Sequence, residues 1–173
     1  KMFGAEKVHI TGRYRRQELT IEELEFVVLD KNEKIKPAFQ TVQPPELLEE
    51  KENTLLYQLK NGLKLRLYTG GDSMAESLFK TTANPVFLEA SEQSFPAIDY
   101  KKAGADENDV FSQAGIPAIP PCMRETAEII RTASQQGIPR LIQANDIRSV
   151  IHSHSNWSDG SNTLEEMAAE CIK

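Results

Sequence analysis

The spacing of apolar positions divides the chain into a strand-rich first part and a helix-rich second part. Alternation of apolar and polar residues predicts strands over residues 7–11, 24–29, 55–59 and 63–68. Asn61-Gly62 separates the last two strands and predicts a hairpin with a tight turn. Residues 30–53 are charged and contain three prolines. There we expect one short surface helix over residues 46–52, beginning just after Pro45.

From Asp72 onward the apolar spacing becomes helical. The predicted helices run from a cap at Asp72 or Ser73 to Phe79, from Asn84-Pro85 to Glu92, from Asn108 to Ala114 and from Arg124 to Gln136. The prolines of residues 116–121 predict an extended segment. A capping box at residues 163–166 opens a final helix.

Composition narrows the possible partners and location. The 173 residues are 39% hydrophobic and carry a formal net charge of −6, so nucleic acid would have to bind through local basic patches. Cys122 and Cys171 form no motif, which is typical of a reducing cytoplasm, and we expect a cytoplasmic protein. No apolar run approaches the roughly 20 residues that span a bilayer, so we expect no membrane partner.

The most informative stretch is residues 152–160, His-Ser-His-Ser-Asn-Trp-Ser-Asp-Gly. After the apolar pair Val150-Ile151, alternation places His152 and His154 on one face of a strand end. The Ser-Asp-Gly turn can return Asp159 toward them. Imidazole plus carboxylate is a ligand set for zinc, manganese or iron. The other interpretation is a polar strand end leading into a helix cap.

This nine-residue string resembles the first motif of the PHP (polymerase and histidinol phosphatase) domain. The resemblance implies that His152, His154 and Asp159 bind a divalent metal, manganese or zinc, in an intact parent protein. Three ligands make half a site, and the chain has one further histidine, His9. We therefore expect the sequence to be part of a longer protein whose remaining ligands lie beyond Lys173.

A second resemblance starts from Gly12-Arg13-Tyr14-Arg15-Arg16 and the acidic residues 22–25. This stretch resembles the palm of family X DNA polymerases, where an arginine-containing turn holds the incoming triphosphate. In that family three aspartates on two strands hold two magnesium ions. By resemblance Gly12, Arg13 and Arg16 would bind nucleotide. The other interpretation of the arginines is a charge run balanced by neighbouring glutamates. Residues 115–125 and 138–148 resemble the bacterial connector to the PHP domain.

Departures from the polymerase pattern fall on the catalytic positions. Glu23 and Glu25 replace two aspartates, and Arg66 stands where the third would be. A fixed positive charge among the ligands opposes the binding of two dications. We therefore predict a degenerate polymerase site that has lost magnesium, with Arg66 paired to Glu25 or Glu23. A solvated acidic strand edge is the other interpretation of the glutamates.

Together these features predict an α+β fold: a nucleotidyltransferase-like palm, a mainly helical thumb and connector, and the first strand and helix of a PHP domain. The expected divisions are residues 1–71 for the palm, 72–114 for the thumb, 115–147 for the connector and 148–173 for the truncated PHP domain.

Two hypotheses for the function follow from the sequence. In the first, the chain is part of a bacterial DNA repair-type polymerase and PHP phosphoesterase. The chain itself would be non-catalytic and would position DNA or brace the phosphoesterase. DNA would be the parent's partner and would bind this chain weakly or not at all, while nucleoside triphosphate binding stays open. In the second, the chain is the N-terminal part of a PHP-type phosphatase acting on a small phosphorylated metabolite. Exposed apolar residues on the final helix also predict a possible homo-oligomer.

Overall fold

The computed structural model describes residues 7–40, 44–100, 102–103, 106–149 and 151–172. Val150, expected on the strand before the histidines, and residues 1–6, expected in the palm, lie outside these ranges. The chain divides into two compact units, Lys1–Ile138 and Pro139–Lys173. Within the described ranges, no helix has both the length and the apolar character needed to cross a membrane.

The described part of the first unit contains a five-stranded mixed sheet in the order β1-β2-β5-β4-β3. The strands are β1 Val8–Thr11, β2 Glu23–Val28, β3 Glu46–Lys51, β4 Thr54–Gln58 and β5 Lys64–Thr69. β2 and β5 run parallel, whereas the other neighbouring pairs are antiparallel. The parallel register sets Glu25 opposite Arg66, so positions distant in sequence meet at the centre of the sheet.

Seven α-helices are also present in the described part of the chain. They are α1 Gly12–Arg15, α2 Asn32–Phe39, α3 Met74–Thr82, α4 Pro85–Ser94, α5 Asn108–Gln113, α6 Glu128–Gln136 and, in the second unit, α7 Leu164–Cys171. Local capping explains three of their starts: the Ser73 and Asn84 side chains accept backbone N–H groups of α3 and α4, and Thr163 and Glu166 form the predicted capping box of α7. The chain is thus a mixed α and β structure.

The structure differs from the sequence predictions in three places. The sequence predicts a helix over residues 46–52, but residues 46–51 form edge strand β3, because pairing with β4 overrides the helical signal. Residues 32–39 form the unpredicted α2 despite the internal Pro37, because Ile35 is fully buried against the sheet. Ile151 and His152 lie in irregular backbone rather than a strand; no sheet partner is present for them in the second unit's described residues.

Opposite faces of the sheet carry separate apolar clusters because neighbouring strand residues point in opposite directions. Val28 packs with Ile35 of α2 on one face, whereas Val27 packs with Met74 and Leu78 of α3 on the other. A neighbouring face of α3 contributes Phe79 and other residues to a third cluster shared with α4, α5 and α6. Helix α3 therefore packs against both the sheet and the remaining helices of the first unit.

We expect Leu55→Ala to lower the free energy of unfolding by about 2–5 kcal/mol, because it leaves a cavity where a fully buried side chain packed between α2 and the sheet. The matched control is Leu47→Ala on β3, where the leucine is 40% exposed. Urea unfolding checks both variants. Equal losses of stability would contradict the assigned core.

Candidate functional site

A cleft of about 1060 Å³ lies in the first unit between the sheet and the helices. Its walls come from α1, β2, β5 and the turn between α3 and α4. The cleft brings together most of the predicted polymerase-site residues, namely Arg13, Arg16, Glu23, Glu25 and Arg66. Gly12 lies directly behind it, against the Glu25 carboxylate. The sequence positions that resemble a nucleotide site are therefore neighbours in space.

The charges that line this cleft balance. Five are basic and five acidic: Arg13, Arg16, Lys64, Arg66 and Lys80 against Glu18, Glu22, Glu23, Glu25 and Glu125. The cleft therefore has no net excess of either sign to attract polyanions or cations from a distance.

Arg66 and Glu23 form a bidentate ion pair at the centre of the cleft. Arg66 donates from Nε to Glu23 Oε1 at 2.6 Å and from Nη2 to Oε2 at 3.0 Å. This hydrogen-bonded carboxylate raises the pKa of Arg66, so the guanidinium stays charged. The pairing is one of the two predicted from the sequence, and it engages both oxygens of Glu23.

Glu25 is held by a different pair of donors. The Arg13 backbone N–H donates to Glu25 Oε1 at 3.0 Å, and the Tyr68 hydroxyl donates to Oε2 at 2.8 Å. Burial, followed by the charge of Glu25, raises the pKa of Tyr68 and keeps its hydroxyl a donor. Tyr68 is a contributor that sequence reasoning missed, although it lies two residues after Arg66 on the same strand face.

Gly12 is required by the position of Glu25. Its φ is +63°, and a Cβ there would lie 1.8 Å from Glu25 Oε1. A side chain would therefore need both a left-handed backbone conformation and displacement of the carboxylate. The tight turn that the sequence suggested as a phosphate holder instead holds a carboxylate of the same chain.

The three polymerase positions hold two carboxylates and one guanidinium in this arrangement. Arg66 supplies the third position with a cation, and it is paired with Glu23. Among the residues that the structure describes, no group of three or more His, Cys, Asp or Glu side chains is arranged to hold a metal ion.

Arg16 is buried and binds protein acceptors. It donates from Nε to Glu125 at 2.6 Å and from Nη1 to the Thr82 carbonyl at 2.7 Å, and its Nη2 contacts Glu18. Arg13 is half exposed, with its Nε 3.7 Å from Glu18. The resemblance assigns both arginines to nucleotide binding. The Arg13 side chain is accessible to solvent, whereas the Arg16 side chain is occupied by protein acceptors.

The remaining arginine of the turn, Arg15, belongs to a buried cluster that sequence reasoning missed. Glu107 accepts hydrogen bonds from Arg15 Nη1 at 2.9 Å and from Arg124 Nη1 at 2.9 Å. Arg124 is 1% exposed and stacks over the Phe111 ring at 4.9 Å. The two arginine partners of Glu107 lie 92 and 17 residues away in sequence, so no local signal could reveal the cluster.

In the second unit, the predicted turn brings Asp159 back to the histidines. Asp159 Oδ1 lies 2.5 Å from His154 Nδ1, and His154 Nε2 lies 2.8 Å from His152 Nε2. The backbone closes the turn through Gly160 N–H, which donates to Ser155 O at 3.0 Å. A Cβ on Gly160 would lie 2.0 Å from the His154 carbonyl oxygen, so the close approach needs glycine.

Asp159, His154 and His152 form a hydrogen-bonded chain and are not arranged as a set of three metal ligands. Asp159 lies at hydrogen-bond distance from His154 Nδ1, which fixes the orientation and tautomer of that ring, and the two Nε2 atoms share one hydrogen bond. Two imidazoles and one carboxylate provide donors that zinc and manganese accept, but a closed site needs further ligands. A bound metal would supply an activated water for phosphoester cleavage.

We expect Gly12→Ala to destabilise the protein by about 1–3 kcal/mol more than Gly62→Ala, because it separates the buried Glu25 carboxylate from its donors. Gly62 also has a positive φ, +84°, but has open space around its Cβ position. Urea unfolding measures both. In a Glu25→Ala background the excess cost should disappear; an excess that persists there would contradict the explanation.

We also expect stability to fall steeply in acid because of Glu107. Burial acts to raise the pKa of its carboxyl, but hydrogen bonds from Arg15 and Arg124 outweigh burial and lower the pKa below the ordinary 4.5. This contribution to stability is present above pH 4.5 and is lost as the pH falls through the lowered pKa.

Urea midpoints measured from about pH 7 to pH 3 should therefore decline less steeply in Glu107→Gln than in the unsubstituted chain. Glu128→Gln, which removes an exposed ion pair with Arg131, is the control and should follow the unsubstituted profile. Parallel profiles for all three proteins would refute the role of Glu107.

Comparison with known proteins supports a polymerase relative for part of the chain. Over 72 residues the chain is 38% identical to the DNA polymerase/3'-5' exonuclease PolX of Bacillus subtilis (strain 168). The aligned part covers 42% of this chain and 12% of that protein's length. No family model matches the chain. The chain is thus similar, over less than half its length, to a DNA polymerase of the X type.

Proposed function

We propose that this chain is the palm and thumb region, with the beginning of a PHP domain, of a family X DNA polymerase whose polymerase site no longer catalyses nucleotide addition. The chain's own role is to position DNA or to brace the phosphoesterase part of the parent protein. The similarity to PolX supports the family assignment, and the mixed sheet is compatible with a nucleotidyltransferase-like palm.

The observation that carries the loss of catalysis is the bidentate pair between Arg66 and Glu23. A two-metal mechanism needs carboxylates that share two cations across the attacking and leaving oxygens. Here one carboxylate is neutralised by an arginine, and Glu25 is engaged by Arg13 N–H and Tyr68. Removing Arg66 would free Glu23. A metal bound there would still have to displace the donors of Glu25.

For the second unit, we propose that His152, His154 and Asp159 contribute to a manganese or zinc site completed by residues of a longer protein. The proximity of the two Nε2 atoms supports this proposal. The chemistry expected of the completed site is hydrolysis of phosphoesters at nucleic-acid ends. The proposal of DNA as the parent's substrate rests on the similarity to PolX.

Calorimetry of a deoxynucleoside triphosphate, with and without manganese, tests the degenerate site. We expect no manganese-dependent binding to the unsubstituted chain, because the positions for metal are paired within the protein. Arg66→Asp should create manganese binding in the cleft, since it replaces the cation with a third carboxylate and frees Glu23.

Lys64→Asp is the matched control. Lys64 lies on the same strand and lines the same cleft, but Arg66 rather than Lys64 donates to Glu23. The control changes the net charge equally and should leave manganese binding absent. Manganese-dependent nucleotide binding by the unsubstituted chain would overturn the proposal, as would equal gains in the two variants.

A further inference from the structure

The first unit contains two layers joined by one shared helix. The sheet layer consists of β1–β5 with α1 and α2, and the helical layer consists of α4–α6 with the segments around Glu107 and Arg124. Helix α3 packs against the sheet through Met74 and Leu78 and against the helical layer through Ala75 and Phe79. Apolar packing on two neighbouring faces of one helix allows small sliding or rotation between the layers.

Two arginines at the end of α1 also connect the layers: Arg16 Nε donates to Glu125 at 2.6 Å at the cleft, and Arg15 reaches Glu107 deeper in the protein. Arg15 donates from Nη1 to Glu107 Oε2 at 2.9 Å and to Thr82 Oγ1 at 2.8 Å, and its Nη2 contacts Glu107 Oε1. Glu107 belongs to the helical layer and is 6% exposed. This connection is polar and directional, whereas α3 provides apolar contacts.

The cluster is built so that its two arginines differ in accessibility. Arg124 is held within the helical layer by Glu107 and by the Ile119 carbonyl, which accepts from its Nε at 2.8 Å. The Arg15 side chain is 23% exposed. If the Arg15 side chain moves away from Glu107, the remaining buried pair of Arg124 and Glu107 has no net charge. The Arg15 guanidinium then becomes hydrated.

We propose that Arg15 and Glu107 form a latch that, beside the Arg16–Glu125 pair, holds the sheet layer against the helical layer. The closed arrangement is the one described above. In the open arrangement Glu107 stays paired with Arg124, Arg15 is hydrated, and the layers separate about α3. The latch is independent of any catalytic role of the cleft.

Distances between spin labels across the cleft test the latch in the full chain. Lys64→Cys on β5 and Glu89→Cys on α4 place labels at exposed positions of the two layers, with Cys122 and Cys171 replaced by serine. The reference protein should give one narrow distance. Arg15→Met should add a second, longer population, because it removes the latch while leaving the Arg124–Glu107 pair neutral.

Arg131→Met is the matched control. It removes an ion pair with Glu128 on the exposed side of α6 and should keep the reference distance. Arg15→Lys retains the charge without the forked geometry, so its longer population should be smaller than that of Arg15→Met. Circular dichroism establishes whether each labelled variant is folded.

Three results would overturn the latch. The first is a folded Arg15→Met variant with the reference distance. The second is a variant that fails to fold, since that would make Arg15 necessary for the fold and not for the separation of layers. The third is an equal longer population in Arg131→Met, which would assign the change to lost surface charge.

Discussion

The buried carboxylate of Glu107 is the interaction on which the arrangement of the first unit depends. It joins Arg15 on α1 and Arg124 near the start of the connector, across 92 and 17 residues of sequence respectively. Buried ion pairs often contribute little net stability because desolvation of the charges offsets their attraction. Removing one partner from such a pair is costly, however, because the other charge stays buried without a counter-charge. The cluster therefore selects one placement of α1 among those that apolar packing alone would allow.

The placement of α1 in turn determines the chemistry of the cleft. Gly12 and the Arg13 N–H meet the Glu25 carboxylate because α1 is held at the end of β1, and Glu25 is long enough to reach the turn from β2. Arg66 then engages Glu23 across the parallel register of β2 and β5. Each carboxylate that resembles a metal ligand thus has a donor from the same chain, and the cleft is balanced in charge.

Local signals predicted the strands, the hairpin at Gly62 and the capped helices, because the side chains that define them are neighbours in sequence. They failed where a distant partner decides: residues 46–51 form a strand because β4 lies beside them, and Ile35 makes α2 through burial against the sheet. Likewise, the resemblance to the polymerase palm predicted that Arg66 and Glu23 lie close together. No feature of the sequence around Glu107 indicates that Arg15 and Arg124 are its partners.

The histidine turn shows the opposite case, in which a site's geometry is almost entirely local. Asp159 reaches His154 over five residues, and Gly160 closes the turn by donating to Ser155. None of the described residues of the second unit is buried, so no packed core holds these side chains in place. In the metal site proposed above, hydrogen bonds within the turn would orient His154, while ligand number and exclusion of water would require further protein. A preoriented pair of imidazoles on an exposed turn is therefore suited to completing a site built largely by other residues.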